Sequence, residues 1–279
     1  MSASPIRSEL DAAMRRWGLI ADGEPVDTSS GCIAWVRRGD EPLVLKVVGP
    51  DSDEMEGIAA YAHYAGRGAV QLVAQAGRAL LLERIVPGDA LTGKVIAGDD
   101  DGATEIICGV MDALHGAAAA PPAGLATLED WGADFASYRH IGGPLPVDLV
   151  DRAAAMHDEL CRSQGPRVVL HGDLHHDNIL YDQRRGWLAI DPKGVVGERA
   201  CETGAMLRNP TKNTTRFASP AIIDRRVRIL CERLGHDRAR MLGWCFSQAI
   251  LSAVWAVLDR NPDHRGIATA EATLPLLRT

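Results

Sequence analysis

The apolar residues of this chain change their period once, and that change limits the fold more than any other feature. SSGCIAWVRRGDEPLVLKVVG alternates apolar and polar positions around Arg38-Gly39-Asp40, which reads as a hairpin. GAVQLVAQAGRALLLERIVPG reads as two further strands around Gly77. A short amphipathic helix over 5–17 precedes these strands, and DSDEMEGIAAYAHYAGRG interrupts them as a helix ended by glycine. From about residue 103 the spacing becomes helical, in TEIICGVMDALHGAAAA, LEDWGADFASYRHI and PVDLVDRAAAMHDELCRS, with breaks at Pro121-Pro122 and Gly142-Gly143-Pro144. One island of strand signal, VVLHGDLHHDNILY and GWLAIDPKG, returns within the helical part, and three more helices follow Pro220, Gly235 and Pro262.

The expected fold class is therefore α+β with two lobes. Residues 1–88 form a small β-rich N-terminal lobe with a hinge near 83–87, and residues 89–279 form a larger, mainly helical lobe with a short embedded hairpin. A net charge of −7 and the lack of a Lys/Arg block with interleaved aromatics argue against a nucleic-acid partner. The charged start lacks a signal-like apolar segment, and no later stretch reads as a membrane span. Six cysteines are scattered without a CxxC pair, which suits reduced thiols in a cytoplasm.

HGDLHHDNIL, residues 171–178 and the two that follow, carries the chemistry. Asp173 and Asn178 are five apart, and Asp191 follows after a turn and the strand WLAI. One carboxylate to orient a hydroxyl proton, with an amide oxygen and a second carboxylate for Mg²⁺, is the set that phosphoryl transfer requires. His171 and His175 are four apart, but Gly172 and the turn-prone residues beside them disfavour the helix that a zinc pair would need. No GxSxG elbow is present for a serine hydrolase. His171, His176 and Asp177 are expected to buttress the turn through hydrogen bonds.

A nucleotide site should extend upstream. Lys46, inside LVLKVV, is a strand lysine pointing inward, suited to phosphates and to a carboxylate partner at Glu54 or Glu56. Thr28-Ser29-Ser30-Gly31 opens the first hairpin and could lie over phosphates, with Ser29 and Ser30 supplying hydroxyls and backbone N–H groups. Glu83 to Ile85 would offer backbone groups to adenine.

These blocks, together with LRNP at 207–210, resemble the aminoglycoside phosphotransferase family, in particular its streptomycin 6-phosphotransferase and hydroxyurea-resistance kinase branch. The resemblance runs over most of the chain and implies a protein-kinase-like two-lobe fold. It also implies transfer of a phosphoryl group from ATP, with Mg²⁺, to a hydroxyl of a cationic aminoglycoside. It carries Asp173 over as catalytic base, Asn178 and Asp191 as metal ligands, Lys46 as the phosphate lysine, and Glu54 rather than Glu56 as its partner. Asp191 is followed by PKG, with neither the length of an activation loop nor APE, so a small-molecule acceptor is expected and no protein partner is implied. Carboxylates for a cationic acceptor are sought at Glu129, Asp130, Asp134, Glu198 and Glu202. The alternatives are a metabolic kinase of an amino alcohol or sugar derivative, and a nucleotide-binding module without turnover.

Overall fold

The structure, a computed structural model, describes residues 5–28, 30–50, 55–116, 119–210, 214–260 and 265–278. The N-terminal region runs α1 (Pro5–Trp17), β1 (Ile20–Ala21), β2 (Val26–Thr28), β3 (Gly31–Arg38), β4 (Glu41–Val48), α2 (Ile58–Tyr64), β5 (Leu72–Ala76) and β6 (Ala79–Glu83). Its strands form one antiparallel sheet in the order β1-β3-β4-β6-β5, with β2 on β3. Strand period divides β4 between two environments. Leu43, Leu45 and Val47 pack under α1 with Leu10 and Ala13, whereas Val44 and Val48 join Ile58, Tyr61, Leu80 and Leu82 on the opposite face. Lys46 belongs to the second face, opposite Ile33 on β3 and Leu80 on β6.

The chain then forms β7 (Pro87–Ala90), α3 (Thr92–Ile96), α4 (Asp100–His115), β8 (Ala126–Thr127), α5 (Leu128–Ile141), α6 (Val147–Arg162), β9 (Arg167–Leu170), β10 (Ile179–Asp182), β11 (Gly186–Ala189) and β12 (Val195–Glu198). It ends with α7 (Thr203–Leu207), α8 (Thr214–Phe217), α9 (Pro220–Leu234), α10 (Arg238–Leu258) and α11 (Arg265–Thr273). The expected hairpin is present as β10-β11, but it is the core of a three-stranded sheet that β7 completes. A second small sheet, β8-β12-β9, was not anticipated. Its strands are two to four residues long and pair across long sequence separations, so local pattern carries little of it.

Helix α10 corrects the expectation about membrane spans. Residues 241–258 hold 18 positions without a charged side chain, and the helix is long and apolar enough to cross a bilayer by length and composition. It lies instead at the centre of the helical region, with 72% of that window buried against α6, α7, α5 and α11. A helix that is apolar all round is what a core position demands.

The two regions meet along the embedded hairpin. Ala69 bridges Ala189 in parallel, Val70 N donates to Ala189 O at 3.0 Å, and Ala189 N donates to Gly68 O at 2.8 Å. Val86 N donates to the buried carboxylate of Asp182 at 3.1 Å, which fixes the connection between β6 and β7.

Candidate active site

The loop after β9 carries Gly172 at φ +84, a left-handed conformation that L side chains rarely adopt. A Cβ at Gly172 would stand 2.8 Å from Cη2 of Trp131, so glycine is needed for closeness as well as for angle. His171 is fully buried. Its Nε2 lies 2.8 Å from Ile190 O, and its Nδ1 accepts from Asp173 N at 3.2 Å, which sets the tautomer. Burial pushes the His171 imidazolium below its usual range, against the pull of Glu202. His171 thus buttresses the loop as expected, and Asp177 does the same by accepting from Thr92 Oγ1 at 2.6 Å. His176 does not: it is buried, and neither ring nitrogen finds a partner among the described residues.

Asp173 has two nitrogen-bearing side chains beside its carboxylate. Arg208 Nη2 donates to its Oδ1 at 3.0 Å, and His175 Nε2 stands 3.6 Å from its Oδ2. Burial alone would raise this carboxyl, but His175, Arg208 and Lys193 together hold it well below the usual carboxylate range. Asn178, at the end of a 3-10 turn spanning His176–Asn178, donates from Nδ2 to Asp173 O at 2.9 Å, which directs its amide oxygen away from that bond. Ile190 N donates to Asn178 O at 2.9 Å, so the residue before Asp191 is pinned to the residue that carries the amide.

Asp191 has φ +56, an uncommon setting for a non-glycine residue and one that Asp tolerates better than most. Tyr61 secures it from α2: Asp191 N donates to the Tyr61 hydroxyl at 2.8 Å, and that hydroxyl lies 3.4 Å from Asp191 Oδ1. Lys46, 4% exposed, places its Nζ 2.8 Å from the same Oδ1. Asp173, Asn178, Asp191 and Lys46 therefore converge where the two regions meet. Asn178 and Asp191 supply hard oxygen donors of the kind that suit Mg²⁺. Glu54 and Ser29 lie outside the described residues.

Glu83 is occupied by structure. Its carboxylate takes Arg185 from the β10-β11 turn and Gln71 N at 3.1 Å. Ile85 is part-buried on the apolar cluster that also receives Val44 and Ile190.

A cavity of about 820 Å³ opens from the first hairpin toward the helices, with Thr28, Ser30 and Gly31 on one wall and Asp130, Trp131 and Asp134 on the other. Glu56, Trp255 and Asp259 also line it. Trp131 and Trp255 meet edge to face at 5.2 Å, and Trp255 Nε1 donates to Asp134 Oδ2 at 2.7 Å. A smaller cavity of about 240 Å³ adjoins Asp173 and Arg208, and α10 lines it through Ser252, Trp255, Ala256 and its cap Asp259. Lys193 lines both cavities.

Two expected acceptor carboxylates are corrected. Glu198 is 6% exposed and takes a bidentate bond from Arg240, a bond from Trp244 Nε1 and Gly165 N. Glu202 is 2% exposed and accepts from His171 N at 2.6 Å, Gly172 N at 2.9 Å and His115 Nε2 at 3.3 Å. Both serve packing and loop anchoring and face no acceptor. Glu129 is exposed and pairs with Arg167. The sequence reading passed over Tyr61, Lys193, Arg208, Trp131, Trp255 and Asp259.

A buried lysine paired with Asp191, beside the loop that carries Asp173 and Asn178, lies between a β-rich and a helical region, the arrangement of a phosphotransferase of the protein-kinase-like fold. The fold is shared across nearly the whole chain with an aminoglycoside phosphotransferase, APH(4)-Ia, in ternary complex with ADP and hygromycin B (TM-score 0.67, 16% identity, 97% of this chain and 98% of that one). It is shared also with a Plasmodium vivax ethanolamine kinase (TM-score 0.66, 14% identity, 93% and 83%). The aminoglycoside/hydroxyurea antibiotic resistance kinase model matches residues 16–259, and the chain belongs to that family. A streptomycin 3''-kinase from Klebsiella pneumoniae is 34% identical over 251 residues, covering 88% of this chain and 91% of the relative. A streptomycin 6-kinase from Streptomyces glaucescens is 29% identical (94% and 87%), and a hydroxyurea phosphotransferase from Kitasatospora aureofaciens 30% (94% and 76%).

Proposed function

We propose that this chain transfers the γ-phosphoryl group of ATP to a hydroxyl of a streptomycin-type aminoglycoside and does so in the cytoplasm, conferring resistance. The observation that carries the reading is the convergence of Asp173, Asn178, Asp191 and Lys46, with Asp173 lining a small cavity that shares Lys193, Trp255 and Asp259 with the larger one walled by carboxylates and tryptophans. Carboxylates at Asp130, Asp134 and Asp259, with the faces of Trp131 and Trp255, suit a bulky cationic acceptor.

In this reading residues 1–88 hold the nucleotide, with the hinge at 83–87 beside adenine and the part-buried side chains of Val44, Ile85 and Ile190 offering an apolar wall to the base. Lys46 binds phosphate oxygens, with Glu54 as its second carboxylate, and Ser29 and Ser30 cover the phosphates. Asn178 and Asp191 would hold Mg²⁺, which supplies neutralisation of the charge on the phosphate oxygens. Asp173 accepts the hydrogen bond of the acceptor hydroxyl and aims its oxygen at phosphorus. A carboxylate of low basicity suffices, because a loose transition state leaves proton removal late and makes positioning the larger contribution.

Relatives named streptomycin 6-kinase and streptomycin 3''-kinase both support streptomycin as the acceptor. The test is purified protein with ATP and Mg²⁺ against streptomycin, other aminoglycosides, hydroxyurea, choline and ethanolamine, read by product mass and fragmentation. A gain of one phosphate on streptomycin supports the proposal. Turnover confined to an amino alcohol, or to no compound, would sink it.

A further inference from the structure

The acceptor side of this site holds a concentration of positive charge that the roles above do not use. Lys46 and the metal ligands lie on the nucleotide side. Arg208 and Lys193 belong to the cavities beside Asp173: Arg208 touches its Oδ1 and lines the small cavity, and Lys193 lines both cavities. A cationic acceptor gains nothing from two cations at the base. A phosphoryl group moving toward an ionised carboxylate does, because its negative charge approaches another.

We propose that Arg208, with Lys193, is a catalytic residue that binds the equatorial oxygens of the phosphoryl group as it passes to the acceptor; the proposal rests on the phosphotransferase reading. In the step, a lone pair of the acceptor oxygen forms the new bond to phosphorus. The bond from phosphorus to the bridging oxygen breaks, its electron pair leaves with ADP, and the hydroxyl proton passes to Asp173. The guanidinium is suited to this role by its planar set of five donors, of which Asp173 engages Nη2, so it reaches phosphoryl oxygens without releasing the base.

The structure holds Arg208 where the role needs it. Arg226, fully buried and paired with Asp100, donates from Nη1 to Met206 O at 3.0 Å and to Asn209 O at 2.7 Å, the carbonyls that flank Arg208. Its backbone is therefore fixed independently of its side chain, and Lys193 N is fixed by His171 O at 2.8 Å.

The test compares Arg208→Met, Arg208→Lys and Lys193→Met with the unmodified protein, measuring ADP affinity in Mg²⁺ with and without aluminium fluoride, a mimic of the planar phosphoryl group that needs no organic acceptor. Arg208→Met should bind ADP alone within about twofold of the unmodified protein and lose at least tenfold of the tightening that fluoroaluminate brings. Arg208→Lys should recover part of it, and Lys193→Met should lose less. With the acceptor found by product mass, kcat of Arg208→Met should fall about a hundredfold or more at little change in either KM. Tightening of Arg208→Met equal to that of the unmodified protein overturns the inference alone. Absence of tightening in the unmodified protein overturns the phosphotransferase reading, and the inference with it.

Discussion

The carboxylate of Glu202 accepts the backbone N–H groups of His171 and Gly172 at 2.6 and 2.9 Å, so a buried charge at the head of α7 holds the loop that presents Asp173. Burial would raise this carboxyl, but His115, His171 and the Gly172 N–H outweigh it and keep it ionised. Glu202→Ala leaves two buried donors and His115 without their acceptor. It should cost about 3–5 kcal/mol in urea unfolding, and kcat should fall through displacement of the loop. Stability within about 1 kcal/mol of the unmodified protein would contradict this anchoring role.

Asp173→Asn preserves shape and removes the charge that draws the acceptor hydroxyl. Transfer should fall by about 10²–10⁴, while ATP affinity measured by calorimetry changes little. Retention of full turnover would remove Asp173 from its assigned role.

Gly172→Ala tests the approach of the loop to α5. The left-handed backbone and the 2.8 Å approach to Trp131 together should cost roughly 1–3 kcal/mol. Since Trp131 also walls the larger cavity, KM for the acceptor should rise more than KM for ATP.

His176 has a buried ring without partners, so His176→Leu should leave stability unchanged or raise it at pH 8, measured by the urea midpoint. The same ring predicts a pH dependence. Burial, with help from Arg226 and His175, holds the His176 imidazolium well below its usual value near 6.5. His157 and His171 are lowered by burial in the same direction. These groups stay neutral in the native protein while the unfolded chain takes up protons near pH 6.5. Stability is therefore full above that pH and declines below it, by up to about 1.4 kcal/mol per pH unit for each such group. The stability gap between His176→Leu and the unmodified protein should widen in favour of the variant from pH 8 to pH 5; a constant gap would show that the ring is solvated.

The residues that the fold brings together around Asp191 and Asp173 were legible because they break a local pattern. Lys46 is a charge in an apolar strand, and Asp173, Asn178 and Asp191 have a spacing that a turn and a strand must bring together. Glu198 and Glu202 were misread because a sequence displays a carboxylate without its partners: Arg240 and Trp244 lie more than forty positions beyond Glu198, and the N–H groups that hold Glu202 belong to a loop thirty residues earlier. Arg208 was visible within LRNP but had no assigned work, since only the tertiary fold, with α7 packed on α10, brings the end of α7 to Asp173. β12 is four residues long, and its pairing with β8 and β9 is set by the tertiary fold.

Helix α10 combines two demands on separate stripes. Its buried residues, among them Trp244, Phe246 and Leu251, hold the helical region together. Ser252, Trp255, Ala256 and the cap Asp259 fall at i, i+3, i+4 and i+7 and wall the small cavity, none of them fully buried. Trp255 also packs on the helical core and against Trp131, whereas Ser252, Ala256 and Asp259 do not belong to that cluster, so under the proposed function a library restricted to these three would vary the acceptor wall without a matching loss of folding.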